Sequence, residues 1–569
     1  MATIHTGDVG KERTPWVLPI ELQPSPAAEP ATSPKGRGDI RKLDGVSDRR
    51  DRQRSSGAIL ILVLVVVAVL SLSAYTFSSL MVTHHHATKL MGEQLQARLL
   101  VNSGVEMVKY YLLQDELSRE EMGGHENNPL VFQGVTVLPE VDLRSRGSFS
   151  IIAPLPDQTG TGMGSGIRYG LEDESGRLNL NVVLLADQLQ AARDLLMGIP
   201  GMTEDVADSI LDWIDSDEEP RDYGAEADYY ASLNPPYAPR NGPLLTVEEL
   251  LLVRGVTPEL LFGLDQNRNT MADAHESQVG TAGGSMTAMA TTGFSNHRGW
   301  SAYLTLYSAE KNATSEGLPR INLNGTDMQL LHDELVAVFS TEWANFIVAY
   351  RLYGAYDGNE QGESAEDLEL DLSQQPSGQI AQVLDLIGAK VQVTGGGGAQ
   401  GGNAEQILES PFQNDPAAML SYMTALMDNC SISDAATIPG RLNINEAPQD
   451  LLFGIPGITE EIVQQIVDQR EILADVLATR AHETWLLAEG LVTLEEMKNL
   501  LPFVCAGGDV FRTQIVGYYQ GGGPSARFEV VFDATEAQPG IVLWRDISHL
   551  GRGYALEMLG VELQGGGGF

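Results

Sequence analysis

The densest reactive chemistry in this sequence is carboxylate. Between Gly201 and Tyr230 stand eleven acidic residues and one basic residue, Arg221. Within that stretch Asp215, Asp217, Glu219 and Glu226 fall at positions 1, 3, 5 and 12 of a loop, the spacing with which an EF-hand presents oxygen ligands to calcium. Position 6 departs from the pattern, because Pro220 stands where the sharp turn needs glycine. An EF-hand in the strict sense is therefore not expected. A calcium site of another geometry is, because carboxylates this close repel one another unless a cation neutralises them. Asp215, Asp217, Glu219 and Glu226 are the first-choice ligands, with Asp222 and Asp228 in reserve. The competing reading is a solvated acidic loop.

Other chemistry is sparse. His84-His85-His86 lie side by side, and neighbours on a helix point in different directions, so they read as interfacial side chains rather than a metal set. The run Gly160–Gly166 lacks the Gly-Lys-Ser/Thr ending of a phosphate loop and precedes a strand, so it reads as a hairpin linker. There is no nucleophile elbow, Walker loop or zincin helix, and no enzymatic activity is expected. Trp213 and Trp343 fit helix cores. Two cysteines, Cys430 and Cys505, exclude a cysteine metal cluster; a disulfide and two core thiols both remain open.

The elements that must position the acidic loop show in an internal repeat. Arg177-Leu-Asn-Leu-Asn181 recurs as Arg320-Ile-Asn-Leu-Asn324 and as Arg441-Leu-Asn-Ile-Asn445. After the first and third copies, Gly198-Ile-Pro-Gly-Met-Thr-Glu parallels Gly454-Ile-Pro-Gly-Ile-Thr-Glu. This predicts two helices joined by a glycine turn, with Thr203 or Thr459 capping the second helix: a helix-hairpin-helix unit. Leu250–Glu259 and Leu487–Thr493 look like degenerate second units, and helices near 326–352 form a divergent middle copy. Such units often bind DNA through hairpin amides and nearby cations. Here Glu204-Asp205 and Glu460-Glu461 would sit where phosphate should, so a packing role is expected.

The wider composition agrees. The 569 residues are too many for one core, and 77 acidic against 36 basic side chains give a net charge of −41, which argues against nucleic acid as a main partner. From Ser55 to Thr88 there is no charged residue, and Ala58–Leu70 is almost purely aliphatic, so the run to about Val82 can span a bilayer. Arg41, Lys42, Arg49, Arg50, Arg52 and Arg54 precede it, which places the N-terminus in the cytoplasm and the bulk outside. No small-x-small cleavage site follows the run. Instead Val101, Val105, Val108 and Leu112 continue a helical stripe, so one helix is predicted from Ala58 to about Leu117.

These residues resemble a pilin, and within the pilins the minor pseudopilin of K type from type II secretion (the general secretion pathway protein K family). Arg54-Ser-Ser-Gly57 before Ala58 resembles a prepilin-peptidase signal, with Gly57 and Ala58 flanking the cut; the 57-residue leader is longer than usual for the family. Leu62 stands at the fifth mature position, where major pilins carry Glu, and lack of that Glu is typical of the K type. Asp173–Asn181, Leu211–Pro220, Gly224–Tyr230 and Asn241–Leu250 look like the family's hallmark blocks, and the resemblance covers most of residues 55–550.

It implies a non-enzymatic tip subunit of the periplasmic pseudopilus, anchored by a single pass in the inner membrane. Its partners would be the I- and J-type minor pseudopilins, the major pseudopilin and prepilin peptidase, with no nucleic acid. It also implies calcium in the helical domain. A minor pilin of a type IV pilus and a membrane-tethered DNA-uptake protein are the alternatives.

The expected fold is α+β: a long pilin-like N-terminal helix packed on an antiparallel sheet, with inserted helical domains of tandem helix-hairpin-helix type. The expected divisions are a leader (1–57), the pilin helix (58–119), first strands (120–175) and a helical domain with the acidic loop (176–264). A flexible linker (265–298), a strand with the divergent copy (299–353) and a low-complexity insertion (354–405) follow. A second helix-hairpin-helix block (406–505) and C-terminal strands (506–569) complete the chain.

Overall fold

The computed structural model describes residues 55–155, 166–183, 189–271, 273, 276, 298–358, 360–366, 368–394, 405–470 and 480–561. The leader up to Arg54 and most of the expected Gly160–Gly166 linker lie outside them, as do 277–297, 395–404 and the side chains of Gly57 and Ala58. The chain divides into two units, Met1–Thr83 and His84–Phe569. In the first, helix α1 (Ser55–Leu112) begins, and its aliphatic side chains from Ile59 to Val82, Leu62 among them, are exposed. By length and composition this helix can cross a membrane.

In the second unit the predicted stripe is buried. Val101, Val105, Val108 and Leu112, with Ala97 and Tyr111, pack against Phe149, Ile151, Ile515 and Phe528 of a sheet. Two glycines permit the approach. A Cβ at Gly104 would lie 2.7 Å from Ile515 Cγ2, and one at Gly517 would lie 2.3 Å from the Ala97 carbonyl oxygen. The helix ends at Leu112 rather than Leu117, because Asp115 caps a separate short helix, accepting from the Ser118 N–H.

The sheet is antiparallel. Its strands are β1 (Val135–Leu138), β2 (Gly147–Pro154), β3 (Ile167–Tyr169), β4 (Glu172–Asp173), β5 (Val510–Tyr519), β6 (Ala526–Asp533) and β7 (Gly540–Asp546). The order is β1-β2-β5-β6-β7, with β3 beside β2 and β4 beside β5. Strands from the two ends of the chain thus interleave, and β2 pairs directly with β5. Everything between β4 and β5 is inserted.

That insertion is built from the Arg-x-Asn-x-Asn repeat. Each copy opens with a two-residue strand: Leu178–Asn179, Ile321–Asn322 and Leu442–Asn443. Each pairs in parallel with a returning strand, Leu304–Thr305, Cys430–Ser431 and Val504–Cys505 respectively. The first asparagine makes the same turn three times, its Oδ1 accepting the N–H two residues on at 3.0, 2.9 and 2.9 Å. The second clamps a distant backbone segment. Asn181 bonds both the N–H and C=O of Leu244, and Asn324 bonds both groups of Ile380. Asn445 donates to the Ala506 carbonyl and accepts from Trp485 Nε1. Cys430 and Cys505 sit in the returning strands of different copies, both buried and both free.

Helices fill each copy: α2 (Leu189–Met197) and α3 (Glu204–Ile214), α4 (Met328–Val338) and α5 (Thr341–Tyr353), α6 (Gln449–Phe453) and α7 (Glu460–Arg470). Gly201 and Gly457 take φ of 72° and 83° in the turns of the first and third pairs. Thr459 Oγ1 accepts the Ile462 N–H as expected, whereas the Thr203 side chain makes no cap bond. The other glycine of each motif serves packing. A Cβ at Gly198 would lie 2.8 Å from Gly454 N, and one at Gly454 would lie 2.9 Å from the carbonyl oxygens of Asp194 and Leu195, so the two pairs meet backbone to backbone.

The structure corrects three divisions. Of the residues expected as a low-complexity insertion, 354–405, the described ones complete the middle copy: Val383–Leu386 is a 3₁₀ turn matching Val247–Leu252 of the first copy, and Lys390–Thr394 pairs with Glu405–Glu409. Ile380, Val383, Leu384, Leu386, Val391 and Val393 are buried there; the flanking glycines and carboxylates had masked these apolar positions. The boundary at 405/406 falls inside that copy, since Pro416–Asn429 leads into its returning strand. Residues 265–271, 273 and 276, expected as flexible linker, are packed, with Asp265, Asn269, Thr270 and Glu276 buried.

The substitution Gly454→Ala is expected to destabilise the head by about 1–3 kcal/mol, because no side chain flexes out of the way of the two carbonyls. Denaturant midpoints of the two proteins check it, and an unchanged midpoint would show that the two pairs separate freely.

Candidate metal centre

Helix α3 buries Val206, Ala207, Ile210, Leu211, Trp213 and Ile214, and carries two acids into the same interior, Asp208 and Asp212. Asp208 is neutralised by a two-point bond from Arg193 on α2, at 2.8 and 2.7 Å. Asp212 accepts from the N–H and guanidinium of Arg221. The helix ends at Ile214, and Asp215 stands at its C-cap in extended conformation. From there the chain loops out and returns at Glu226, which precedes the short helix Ala227–Ala231. Gly224 lets the loop close, since a Cβ there would meet Asp212 Oδ2 at 1.8 Å. Trp213 Nε1 bonds Glu249 at 3.1 Å, and Asn241 holds the Asp217 carbonyl at 3.0 Å, so the Asn241–Leu250 block braces the loop from behind.

Carboxylate oxygens of Asp215, Asp217 and Glu226 lie within 4.8 Å of one another. Glu226 is 5% exposed, and neither of its oxygens has a hydrogen-bond partner; Asp215 Oδ1 is likewise buried and unpartnered. Burial, and then the charges of Asp212, Asp215 and Asp217, push the Glu226 carboxyl up to about 7. Burial also raises Asp215, against the opposing pull of Arg221, whose guanidinium bridges Asp212 and Asp215. Orphaned carboxylate oxygens converging on one point fit a hard divalent cation, which takes oxygen ligands and removes the mutual repulsion.

Of the six expected ligands the fold thus brings together Asp215, Asp217 and Glu226. Glu219, Asp222 and Asp228 are exposed and stand apart from the converging group. Glu219 contributes its backbone N–H to Asp217 Oδ1, which is what the odd-numbered spacing produced. Asp212 was missed. It lies one helical turn before Asp215, an i, i+3 spacing that could have placed it beside the site.

The architecture is α+β: a long helix with an exposed apolar first half, an antiparallel sheet split by an insertion, and a helical module that carries the carboxylate cluster. Residues 176–266 match the model of type II secretion system protein K, first domain. The chain is 32% identical over 117 residues to the putative type II secretion system protein K of Escherichia coli strain K12, a match covering 18% of this chain and 36% of that protein, so about a third of the relative's length is spanned. The solved GspK–GspI–GspJ complex of the enterotoxigenic Escherichia coli type 2 secretion system is similar at 10% identity and a TM-score of 0.33. That match covers 82% of this chain and 98% of that one.

The folded protein holds the Glu226 proton more tightly than an unfolded chain does. Metal-free stability should therefore fall as pH rises from about 4.5 to about 7. Glu226→Gln should remove that fall and raise stability at pH 8 in chelator by about 1–2 kcal/mol. Melting curves of both proteins at pH 5 and 8 with EDTA measure it, and parallel pH dependences would refute the buried-charge account.

Proposed function

We propose that the protein is a minor pseudopilin of type II secretion, a structural subunit that caps the periplasmic pseudopilus. The observation that carries this reading is the protein K domain at 176–266, inserted into a sheet whose packing helix continues from a membrane-length apolar segment. The helix holds the subunit in the inner membrane, with the N-terminus cytoplasmic and the head periplasmic. Prepilin peptidase removes the leader between Gly57 and Ala58. The K-family resemblance supplies the neighbours, the I- and J-type minor pseudopilins above the major pseudopilin. Leu62 in place of glutamate suits a terminal subunit, which has no further subunit's amine to pair with.

The paired helices read as helix-hairpin-helix modules that serve packing rather than DNA. The second helices open on Glu204-Asp205 and Glu460-Glu461, carboxylates where a phosphate ligand would bind. The acidic pocket takes calcium, with Glu226, Asp215 and Asp217 as ligands and Asp212 held beside them by Arg221.

Two experiments test this. N-terminal sequencing of the mature chain should begin at Ala58, and Gly57→Leu should retain the leader. A mature N-terminus downstream of Val82, or normal processing of the variant, would defeat the anchored-subunit reading. Calcium should raise the melting temperature of the full chain above its value in chelator by a few degrees, and Glu226→Gln should reduce that rise. An equal rise in the variant would remove calcium from this pocket.

A further inference from the structure

Where the third copy meets the sheet, a histidine and two glutamates converge. His125 and Glu126 lie in the connection between α1 and β1, and Glu446 follows directly on the third repeat, Arg441–Asn445. A ring nitrogen of the histidine and carboxylate oxygens of the two glutamates lie within 4.8 Å of one another. None of the three side chains makes a hydrogen bond among the described residues. Their backbones, by contrast, are fixed. The His125 carbonyl accepts the Leu171 N–H at 2.8 Å, and the Asn128 N–H donates to the Tyr169 carbonyl at 2.7 Å. A Cβ at Gly170 would lie 2.0 Å from the His125 carbonyl oxygen and 2.7 Å from that of Glu126, so a glycine is needed for the segment to lie this close to the sheet. Glu446 sits in the turn that the Asn443 carbonyl closes, accepting the N–H groups of Glu446 and Ala447 at 3.3 and 2.8 Å. Rigid backbone therefore presents three free donor groups to one point.

One imidazole nitrogen with two carboxylates is a mixed donor set. It suits a transition dication, above all zinc, which takes nitrogen and oxygen ligands at about 2.0–2.2 Å. Calcium is the poorer match, because its ligands are oxygens. Desolvation, and then the charges of Arg168 and Arg119, hold the His125 imidazole down at about 3, so the ring is neutral and keeps a lone pair for a metal. Glu446 has one cation near it, Arg168 of β3, whose Nη2 stands 3.8 Å from Oε2, beyond hydrogen-bond reach. Burial outweighs the pull of that guanidinium, and the charges of Glu126, Asp173 and Glu172 oppose it as well, so the Glu446 carboxyl is pushed up to about 8. Arg168 thus leaves the glutamate without a bond and short of positive charge. A metal ion within bonding distance supplies both.

We propose that His125, Glu126 and Glu446 form a zinc site, with the remaining coordination position left to water. It shares no residue with the Glu226 pocket, and its nitrogen ligand sets it apart in the ion it takes. Glu126 is exposed, which gives the ion a path in from solvent. The ligands come from distant parts of the chain, two from the segment that leaves α1 for β1 and one from the third copy. An ion here ties that copy to the sheet, beside the contacts that Asn443 and the Gly508 N–H make with Asp173.

The test uses cobalt and zinc as probes. The full chain in detergent, freed of metal and supplied with excess calcium to fill sites built from oxygen alone, is titrated with Co²⁺ and then with Zn²⁺. Cobalt should give a visible absorption band that zinc bleaches, and equilibrium dialysis should find one zinc held through His125. His125→Ala should abolish the band. Glu126→Gln, at an exposed position that the fold does not depend on, should weaken zinc by at least about tenfold, no less than the loss of a supporting partner costs a metal site. Zinc should raise the melting temperature of the unaltered chain and not that of His125→Ala. Melting in chelator shows which variants are folded. An unchanged zinc affinity in Glu126→Gln overturns the site, even where His125→Ala fails to fold. A band that survives in His125→Ala places the ion elsewhere and overturns it too. If neither metal binds, the Arg168–Glu446 pair is all that the cluster contains, and the proposal falls.

Discussion

The two parts of the head are joined through two adjacent buried carboxylates, Asp173 and Glu174. Asp173 ends β4 and accepts hydrogen bonds from Ser175 N, Gly508 N and the Asn443 amide. Glu174, wholly buried, receives Arg512 from β5, the Thr305 hydroxyl and, at 3.8 Å, Arg177. Arg512 continues to Glu529, and Arg545 links Glu529 to Glu248 of the first copy. Sheet, first copy and third copy are therefore wired through one dipeptide. Charges so deep are tolerated only when each has its partner. The network consequently selects one seating of the insertion on the sheet, because any other leaves a buried charge unpaired.

The insertion achieves its size by repetition. One pentapeptide code sets a strand, an Asx turn and a clamp, and it does so three times with different helices between. The clamp partner shifts from the Leu244 backbone to the Ile380 backbone to the Trp485 indole, so the second asparagine's role outlasts the identity of what it holds. Each copy buries little alone. Their helices share one continuous apolar cluster, which is why the glycine contact between the first and third pairs matters.

The acidic loop shows how a fold handles repulsion it has itself created. Arg193 and Arg221 answer Asp208 and Asp212, and Arg221 also reaches Asp215. Glu226 has no such answer, and its carboxyl titrates near neutrality in consequence. A loop this acidic has one internal basic side chain, Arg221, for three or four carboxylates, so part of their mutual repulsion is left unanswered.

The sequence by itself determined the membrane-length helix, its buried stripe and the sheet strands at both ends. It also determined the first and third copies of the repeat. These follow from composition and periodicity, which act locally: an uncharged stretch, a 3.6-residue stripe, a glycine where φ must be positive.

Only the tertiary structure decided which carboxylates converge. Asp212 enters from a buried helical face and Glu219 leaves for solvent, and spacing along a loop says nothing about the direction in which each side chain is turned. Only the tertiary structure, too, revealed that the described residues of 354–394 close the middle copy. Their partners, Asn324 and the Ile321–Asn322 strand, stand far back along the chain, and a pairing between distant segments leaves no periodic mark on either one.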